Sequence, residues 1–568
     1  MNKSITDLVF KYMNKSRFIF GLLLGLFSSL VALILPSFLG EFIDGAFLQI
    51  ISDHPSQLLG FVVLVVVVYF LQAYSGYLIG VEGGKTLNQI QKYTYERLLK
   101  SEVSELELFK SGDLASRFTN DMSIILRFLT SVISGSLMNI IMIVGSLFFL
   151  IRISFVMTLL TLSILPVLLF LIAFINNKVE NSYVKFQETQ GDISSTISHR
   201  FSHIRLVKSF NGESEEENRL GRVFNQLLFY YRQIIVLTSI QGAVLSSLIM
   251  SFIVLIVVVA AVQVNQGLMT VGTLLTFMIY VTQLIEPVTE MSTLATEYAE
   301  FRSVASRLSE LIDLVKEEED TLQQDFPTFE ISLHEVNFSY ADNQVLENVT
   351  FKVEDGEHLA IVGPSGAGKS TILSLLLKFY QPSEGTIQIG NRNLASLTPA
   401  QIRSLIGFVP QTNTLFQGTI RENLFYGKNK YVDKARLDTV LDALELDKLI
   451  VQFPNGLETV VSEKGTGLSE GQKQRFSIAR ALLLDSPIYL IDEATSNLDS
   501  VTESITNQAI ENLTRDKTRI TIAHRLNTIK GADKILVLDR GGRVVDCGDH
   551  ETLLNRSELY QDLINHFH

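Results

Sequence analysis

One cysteine, Cys547, stands in 568 residues, which excludes an intrachain disulfide and any metal cluster built from several thiolates. Basic residues are in deficit. Against 60 Asp and Glu there are 47 Lys and Arg, and the formal net charge of −13 argues against nucleic acid as the main partner. Basic residues are also missing locally, with none at positions 41–57 or 263–270. No small-residue cleavage site follows the first apolar run, Phe18–Leu39. Gly40-Glu41-Phe42-Ile43-Asp44 comes next, so the run is expected to stay in the protein as a membrane helix.

What is abundant is apolar sequence: 47% of residues are hydrophobic and the mean hydropathy is +0.27, with the surplus concentrated before about residue 300. The length predicts two or three domains. Six runs are long enough to span a bilayer, at 18–39, 58–81, 132–150, 155–175, 234–262 and 271–291. Basic residues orient them. Lys85, Lys92, Arg97, Lys100, Lys110, Arg117 and Arg127 lie between runs two and three. Lys178, Lys185, Arg200, Arg205, Lys208, Arg219, Arg222 and Arg232 lie between runs four and five. Both segments, and the N-terminus, are therefore expected on the cytoplasmic side of a cell membrane.

Each of these segments is on the order of 50 residues and lacks low-complexity character. Continued as helices they would project roughly 35–40 Å from the bilayer. Their tips would fall near Lys110–Arg117 and Phe201–Leu206. In the sixth run Glu286 and Glu290 lie four apart on one helical face, at a depth where facing lipid is costly. They are candidate contacts for a cationic substrate or a proton, with Pro287 between them as a candidate kink.

The predicted division is a membrane domain at 1–315, a solvated acidic linker at 316–328 and a nucleotide-binding domain at 329–568. Glu330–Tyr340 and Val345–Val353 read as strands about the turn Ala341-Asp342-Asn343. The apolar run His358–Val362 then leads into Gly363-Pro364-Ser365-Gly366-Ala367-Gly368-Lys369-Ser370-Thr371, a phosphate-binding P-loop. Its glycines let backbone N–H groups converge on phosphate oxygens, Lys369 reaches the β- and γ-phosphates, and Ser370 offers a hydroxyl to Mg²⁺. A buried strand Ile488–Ile491 ends in Asp492-Glu493, where Asp492 can serve the Mg²⁺ shell and Glu493 the attacking water. A third strand, Arg519–Ala523, ends in His524, a candidate catalytic group.

Leu468-Ser469-Glu470-Gly471-Gln472, followed by Lys473-Gln474-Arg475, resembles the signature of ATP-binding cassette (ABC) proteins. Six spans ahead of one cassette resemble the bacterial ABC exporter half-transporters, including multidrug and lipid-flipping members. That resemblance implies a six-helix transmembrane domain fused to an α/β P-loop NTPase, with ATP and Mg²⁺ as cofactors. It also implies roles. Tyr340 resembles the aromatic that stacks on adenine, and Gln411 the glutamine that senses Mg²⁺. Ser469, Gly471 and Gln472 would meet the ATP held by the partner's P-loop, Asn497-Leu498-Asp499 would touch the opposing cassette, and His524 would contact the γ-phosphate. The two tips resemble coupling helices. Two features depart from the family: Glu470 stands where Gly is usual, and Val460–Gly465 differs from the usual Glu-x-Gly-Glu-Arg-Gly. They leave a heterodimer open, but with Lys369, Asp492, Glu493 and His524 all present the expected partner is a second copy of the chain. The expected function is ATP-driven export of a small molecule, lipid or peptide by alternating access, and the alternative is an ATP-switched sensor or gated pore.

Overall fold

The computed structural model describes residues 5–44, 55–318, 325–427, 432–461, 467–493, 498–523 and 525–566. Contacts divide the chain into two compact units. Met1–Thr94 with Gly112–Asp313 form the first, and Tyr95–Ser111 with Leu314–His568 the second.

The first unit is helical. Among the described residues, five stretches are long and apolar enough to cross a membrane: Lys15–Asp44, Leu58–Leu99, Ser111–Ile153, Glu213–Asn265 and Val271–Asp313. The fourth apolar run opens a 48-residue helix, Phe155–Ser202, with Phe155–Ile164 as its described apolar part. The Val271–Asp313 helix continues through Pro287.

The first run is two helices rather than one, Lys15–Ala32 and Leu35–Asp44. Pro36 is the cause, since it has no backbone N–H to donate to the preceding turn and its ring crowds the carbonyl four residues back. The carbonyls at the break are claimed by side chains of the Val271–Asp313 helix: Tyr280 Oη donates to Leu33 O at 2.6 Å and Thr276 Oγ1 to Pro36 O at 3.1 Å. The two elements touch closely enough that a Cβ on Gly40 would fall 2.9 Å from Gly272 O. Asp44 accepts from Gly272 N at 2.8 Å and so satisfies a free N–H at the start of that helix.

The two expected tips are turns between long helices. The second is the short helix Ile204–Ser209, overlapping its expected place. The first falls earlier than expected. The Pro55–Leu99 helix ends well before Lys110, the turn is Val103–Leu106, and Ser111–Ser116 already starts the return. Gly112, expected at the tip, sits inside that returning helix, where its cost is only about 1 kcal/mol against Ala and does not break the helix.

The second unit is α/β. Strands β1 (Ile331–Tyr340), β2 (Asn343–Val353), β4 (Glu384–Ile389) and β5 (Arg392–Asn393) make an antiparallel sheet in the order β2-β1-β4-β5. Tyr340 pairs with Asn343, so the first turn is the two-residue loop Ala341-Asp342, with Ala341 at φ 50°. The larger sheet takes β3 (His358–Val362), β6 (Ile406–Val409), β9 (Ile488–Asp492), β10 (Thr518–Ile522), β11 (Lys534–Leu538) and β12 (Val544–Gly548). Its order is β12-β11-β3-β10-β9-β6, parallel except at the β12 edge. A small ribbon, β7 (Gly418–Thr419) with β8 (Val460–Val461), completes the strands among the described residues. Alternation along β3 sends Leu359 and Ile361 into the core shared with the antiparallel sheet, and Ala360 and Val362 into the core on the other face. Burial on both faces is why these strands read as continuous apolar runs.

Residues 314–318 do not behave as a free solvated linker. Lys100–Glu102 and Val315–Glu317 pair as a short antiparallel clamp, with Glu102 N to Val315 O at 3.0 Å and Glu317 N to Lys100 O at 2.9 Å. Glu317 takes a fork of two bonds from Arg403, at 2.9 and 2.8 Å. The acidic residues that follow, Glu319 and Asp320, lie outside the described residues.

Candidate nucleotide site

β3 delivers the chain to the P-loop and the helix Lys369–Leu376 leaves it. Gly366 and Gly368 sit at φ 82° and 81°, in the left-handed region that L side chains rarely adopt. Gly368 has no room for a side chain either, since a Cβ there would lie 2.6 Å from Leu346 Cδ2. Ala367 is buried, while Ser365 and Ser370 are exposed. Thr371 is buried beside Lys369 on the helix. Lys369 is 7% exposed, and its Nζ donates to Gly363 O at 2.9 Å and Pro364 O at 3.0 Å. Burial pulls its pKa below the ordinary lysine value, against the opposing pull of the Glu493 and Asp492 charges.

Register gathers the remaining groups. Ile361 pairs with Ile522, Ile522 with Asp492, and Val409 with Ile491. The carboxyl ends of β3, β10, β9 and β6 are thus side by side, and from them issue the P-loop, Asp492-Glu493 and Gln411. A ligand crevice forms at such an edge. Asp492 is buried, Gln411 is exposed, and Glu493 turns out of the strand at φ 48°, a backbone state that costs about 1–3 kcal/mol in a non-glycine residue and concentrates at functional sites. His524, Asn497 and Ser462–Gly465 lie outside the described residues.

Ser370, Gln411 and Asp492 offer only oxygen donors. Among the described residues no group of three or more His, Cys, Asp or Glu could hold a metal by itself. That set suits Mg²⁺, which takes one or two carboxylates and completes its shell with phosphates and water.

The signature opens a helix, Glu470–Leu482, as expected. Ser469 is its N-cap in a reciprocal capping box: Ser469 Oγ accepts from Gln472 N at 3.2 Å, and Gln472 Oε1 accepts from Ser469 N at 2.9 Å. The Gln472 side-chain oxygen is thereby committed to its own helix. Gly471 lies in the first turn, where backbone N–H groups are free to meet an anion. Glu470 points away, 66% exposed, to Lys473 Nζ at 2.6 Å. Asp499 likewise caps its own helix, Ser500–Leu513, accepting from Thr502 N at 3.1 Å, and those bonds hold its carboxyl below the usual range.

Tyr340 belongs to a cluster that the sequence did not announce. Its ring lies 5.0 Å from that of Tyr380 and 4.8 Å from that of Phe338, both at 88°. The Tyr380 hydroxyl donates to Glu107 Oε2. Tyr340 and Tyr380 are brought together by the sheet β1 shares with β4, and no local pattern signals that pairing. Glu286 and Glu290 lie in the first unit, exposed in the single chain, and Glu290 Oε2 accepts from Asn139 Nδ2 at 2.6 Å.

Comparison with known proteins agrees with these features. Residues 18–288 match the model of the ABC transporter transmembrane region, and residues 346–496 the model of the ABC transporter. A multidrug resistance ABC transporter ATP-binding and permease protein of Lactococcus lactis is 31% identical over 557 residues, 96% of this chain and 92% of that protein. An ATP-dependent lipid A-core flippase of Syntrophus aciditrophicus is 30% identical over 94% of this chain and 90% of its own length. ABC transporter B family member 1 of Dictyostelium discoideum is 32% identical over 95% of this chain, which spans 60% of that longer protein. A solved structure of a bacterial Atm1-family ABC exporter with ATP bound superposes with a TM-score of 0.77 at 26% identity, covering 97% of this chain and 98% of that one. With a membrane region and an ATP-binding region in one polypeptide, the chain belongs to the ABC transporter family, as a multi-pass membrane protein.

Proposed function

We propose that this protein is an ATP-hydrolysing exporter that works as a dimer by alternating access. The observation that carries the reading is the gathering of Lys369, Asp492, Glu493 and Gln411 at one sheet edge, with Glu493 turned out of its strand. Lys369 and the P-loop N–H groups hold the phosphates. Ser370, Asp492 and Gln411 would hold Mg²⁺, which when bound would offset phosphate charge. Glu493 orients the attacking water and takes its proton, and His524 faces the γ-phosphate. The free helix start at Ser469–Gly471 serves ATP on a second copy, so each site needs two chains. ATP closes the two cassettes and opens the membrane half outward, and hydrolysis resets it. The nucleotide half and the N-terminus are cytoplasmic. The exported substrate is a drug, a lipid or a peptide.

A sensor or gated pore would need ATP binding alone, and the carboxylate at Glu493 serves hydrolysis instead. Glu493→Gln keeps the size and loses the base. Hydrolysis is expected to fall by about 10²-fold or more while ATP remains bound in a closed dimer. ATP turnover at the wild-type rate in this variant would remove Glu493 from the chemistry.

A further inference from the structure

The segment Tyr95–Ser111 is continuous with membrane-unit helices, yet it packs as part of the second unit. Arg97 Nη2 donates to Leu314 O at 2.7 Å, and Lys100–Glu102 pairs with Val315–Glu317 through Glu102 N to Val315 O at 3.0 Å and Glu317 N to Lys100 O at 2.9 Å. A further attachment is the bond from the Tyr380 hydroxyl to Glu107. The first two bind the segment to the junction at 314–317. The last reaches the aromatic cluster of the nucleotide side.

That cluster is orthogonal. Tyr380 stands perpendicular to Tyr340 at 5.0 Å and at 62° to Phe338 at 5.5 Å, while Phe338 and Tyr340 meet at 88°. Edge-to-face pairs of this kind fix the plane of each ring against its neighbours. Phe338 is buried, and Tyr380 is tied at its far end to Glu107. Tyr340 is 38% exposed, which leaves part of it open to a flat ligand.

We propose that Tyr380 positions Tyr340 for the adenine base, and that its hydroxyl passes base occupancy to the first cytoplasmic tip through Glu107. The inference rests on the reading of Tyr340 as the adenine-side aromatic. A base laid on Tyr340 restrains that ring, Tyr380 is restrained with it, and the Tyr380–Glu107 bond stiffens the Val103–Leu106 turn. The relay carries the presence of the base.

Hydrogen exchange on the full chain in lipid nanodiscs, in a Glu493→Gln background that retains ATP, tests it. ATP is expected to protect both the P-loop, 363–371, and the tip, 95–111. Tyr380→Phe keeps the ring and removes the hydroxyl, and Glu107→Ala removes its acceptor. Each is expected to abolish tip protection while P-loop protection stays as it was. Tip protection by ATP that survives both substitutions overturns the relay, and so does a tip that ATP never protects although the P-loop responds. Absent P-loop protection would instead overturn the ATP reading on which the relay rests.

The positioning part has its own measurement, made with Glu493 intact. Tyr380→Leu is expected to raise the KM for ATP about 3- to 10-fold, the worth of one edge-to-face ring pair, with kcat little changed. Tyr380→Phe is expected to restore KM. A KM that does not move in Tyr380→Leu removes Tyr380 from base positioning.

Discussion

The two units expose similar side chains for opposite reasons. In the first, Phe20, Leu23, Val66, Phe70 and Val258 are each more than half exposed along helices long enough to span a bilayer. In the second, the central parallel strands bury nearly everything, and Leu359, Ala360, Ile361 and Val362 are fully covered. A half-exposed valine is therefore an expected lipid contact in one unit and an incidental surface residue in the other. The lesson is that burial in the isolated chain measures packing, and hydropathy along the helix says which solvent completes it.

The largest expected difference comes from the same substitution at matched exposure. Val66 is 62% exposed and Val501 is 68% exposed. Val66→Arg places a charge about 5 Å from the midpoint of the second run and is expected to cost roughly 2.5–3.5 kcal/mol on insertion scales. Val501→Arg, on the surface of the second unit, is expected to change stability by less than about 0.5 kcal/mol. Membrane-inserted yield and thermal unfolding of the purified variants measure both. Equal effects would erase the contrast and mean that Val66 faces water.

How much of this was legible beforehand follows the same divide. The parallel strands announced themselves because two-sided burial leaves an unbroken apolar run, as in His358–Val362 and Ile488–Ile491. The P-loop was legible because only glycine tolerates the geometry at Gly366 and Gly368. The membrane runs were legible from length alone, but the break at Leu33-Ile34 was hidden inside one of them. Pro36 signalled it, yet its partners Thr276 and Tyr280 are some 240 residues away. The first tip was misplaced for a related reason: a helix can carry Gly112, so composition does not mark the turn. Tyr380, Glu107 and Arg403 were not legible at all, because each acts through a partner far off in the sequence.

A smaller effect sharpens the comparison from inside the second unit's core. His358 is buried against Arg519, whose Nη2 donates to His358 Nδ1 at 2.9 Å. Burial first, and then the arginine charge, pull its pKa down to about 3. Above pH ~6.5 the imidazole is neutral folded or unfolded and adds no pH dependence. Between there and pH ~3 the unfolded chain takes up a proton that the folded chain refuses, so stability falls as pH falls. At pH 5 the loss from this one group is about 2 kcal/mol. His358 Nε2 also lies 3.1 Å from Thr521 Oγ1. His358→Gln offers an acceptor to Arg519 and a donor to Thr521 without titrating, and should flatten the fall in melting temperature between pH 7 and 5. Parallel curves for the two proteins would mean that His358 titrates normally. No membrane-unit group is expected to follow this substitution.

A helix start tests the next smaller term. Ser469 and Gln472 satisfy each other's backbone N–H groups at the head of the Glu470–Leu482 helix. Ser469→Ala is expected to cost about 1 kcal/mol of stability in the second unit. If Ser469 also meets ATP on a second chain, hydrolysis should fall further than the lost stability explains. Ser469→Gly, which costs the cap only a few tenths of a kcal/mol, separates the two effects. Normal hydrolysis in Ser469→Gly would confine this serine to capping.

The smallest expected effect bears on the residue where the sequence departs most plainly from its family. Glu470 occupies the first position of the signature helix, where a carboxylate aimed at an incoming phosphate would repel it. Its side chain is instead two-thirds exposed and paired with Lys473 three residues on, at 2.6 Å. An acid in the first turn also suits the helix dipole, while a surface pair of this kind contributes little to stability. Glycine at the same position would lose both small terms and gain backbone freedom, so neither change should reach the catalytic step. Glu470→Gly is therefore expected to alter the ATP hydrolysis rate of the purified chain by less than about 2-fold, with lower ionic strength enlarging the difference only slightly. A rise of tenfold or more would show that Glu470 turns toward the phosphate when two chains close. The unmodified chain would then be the weaker partner of a heterodimer, lending an impaired signature to a second protein.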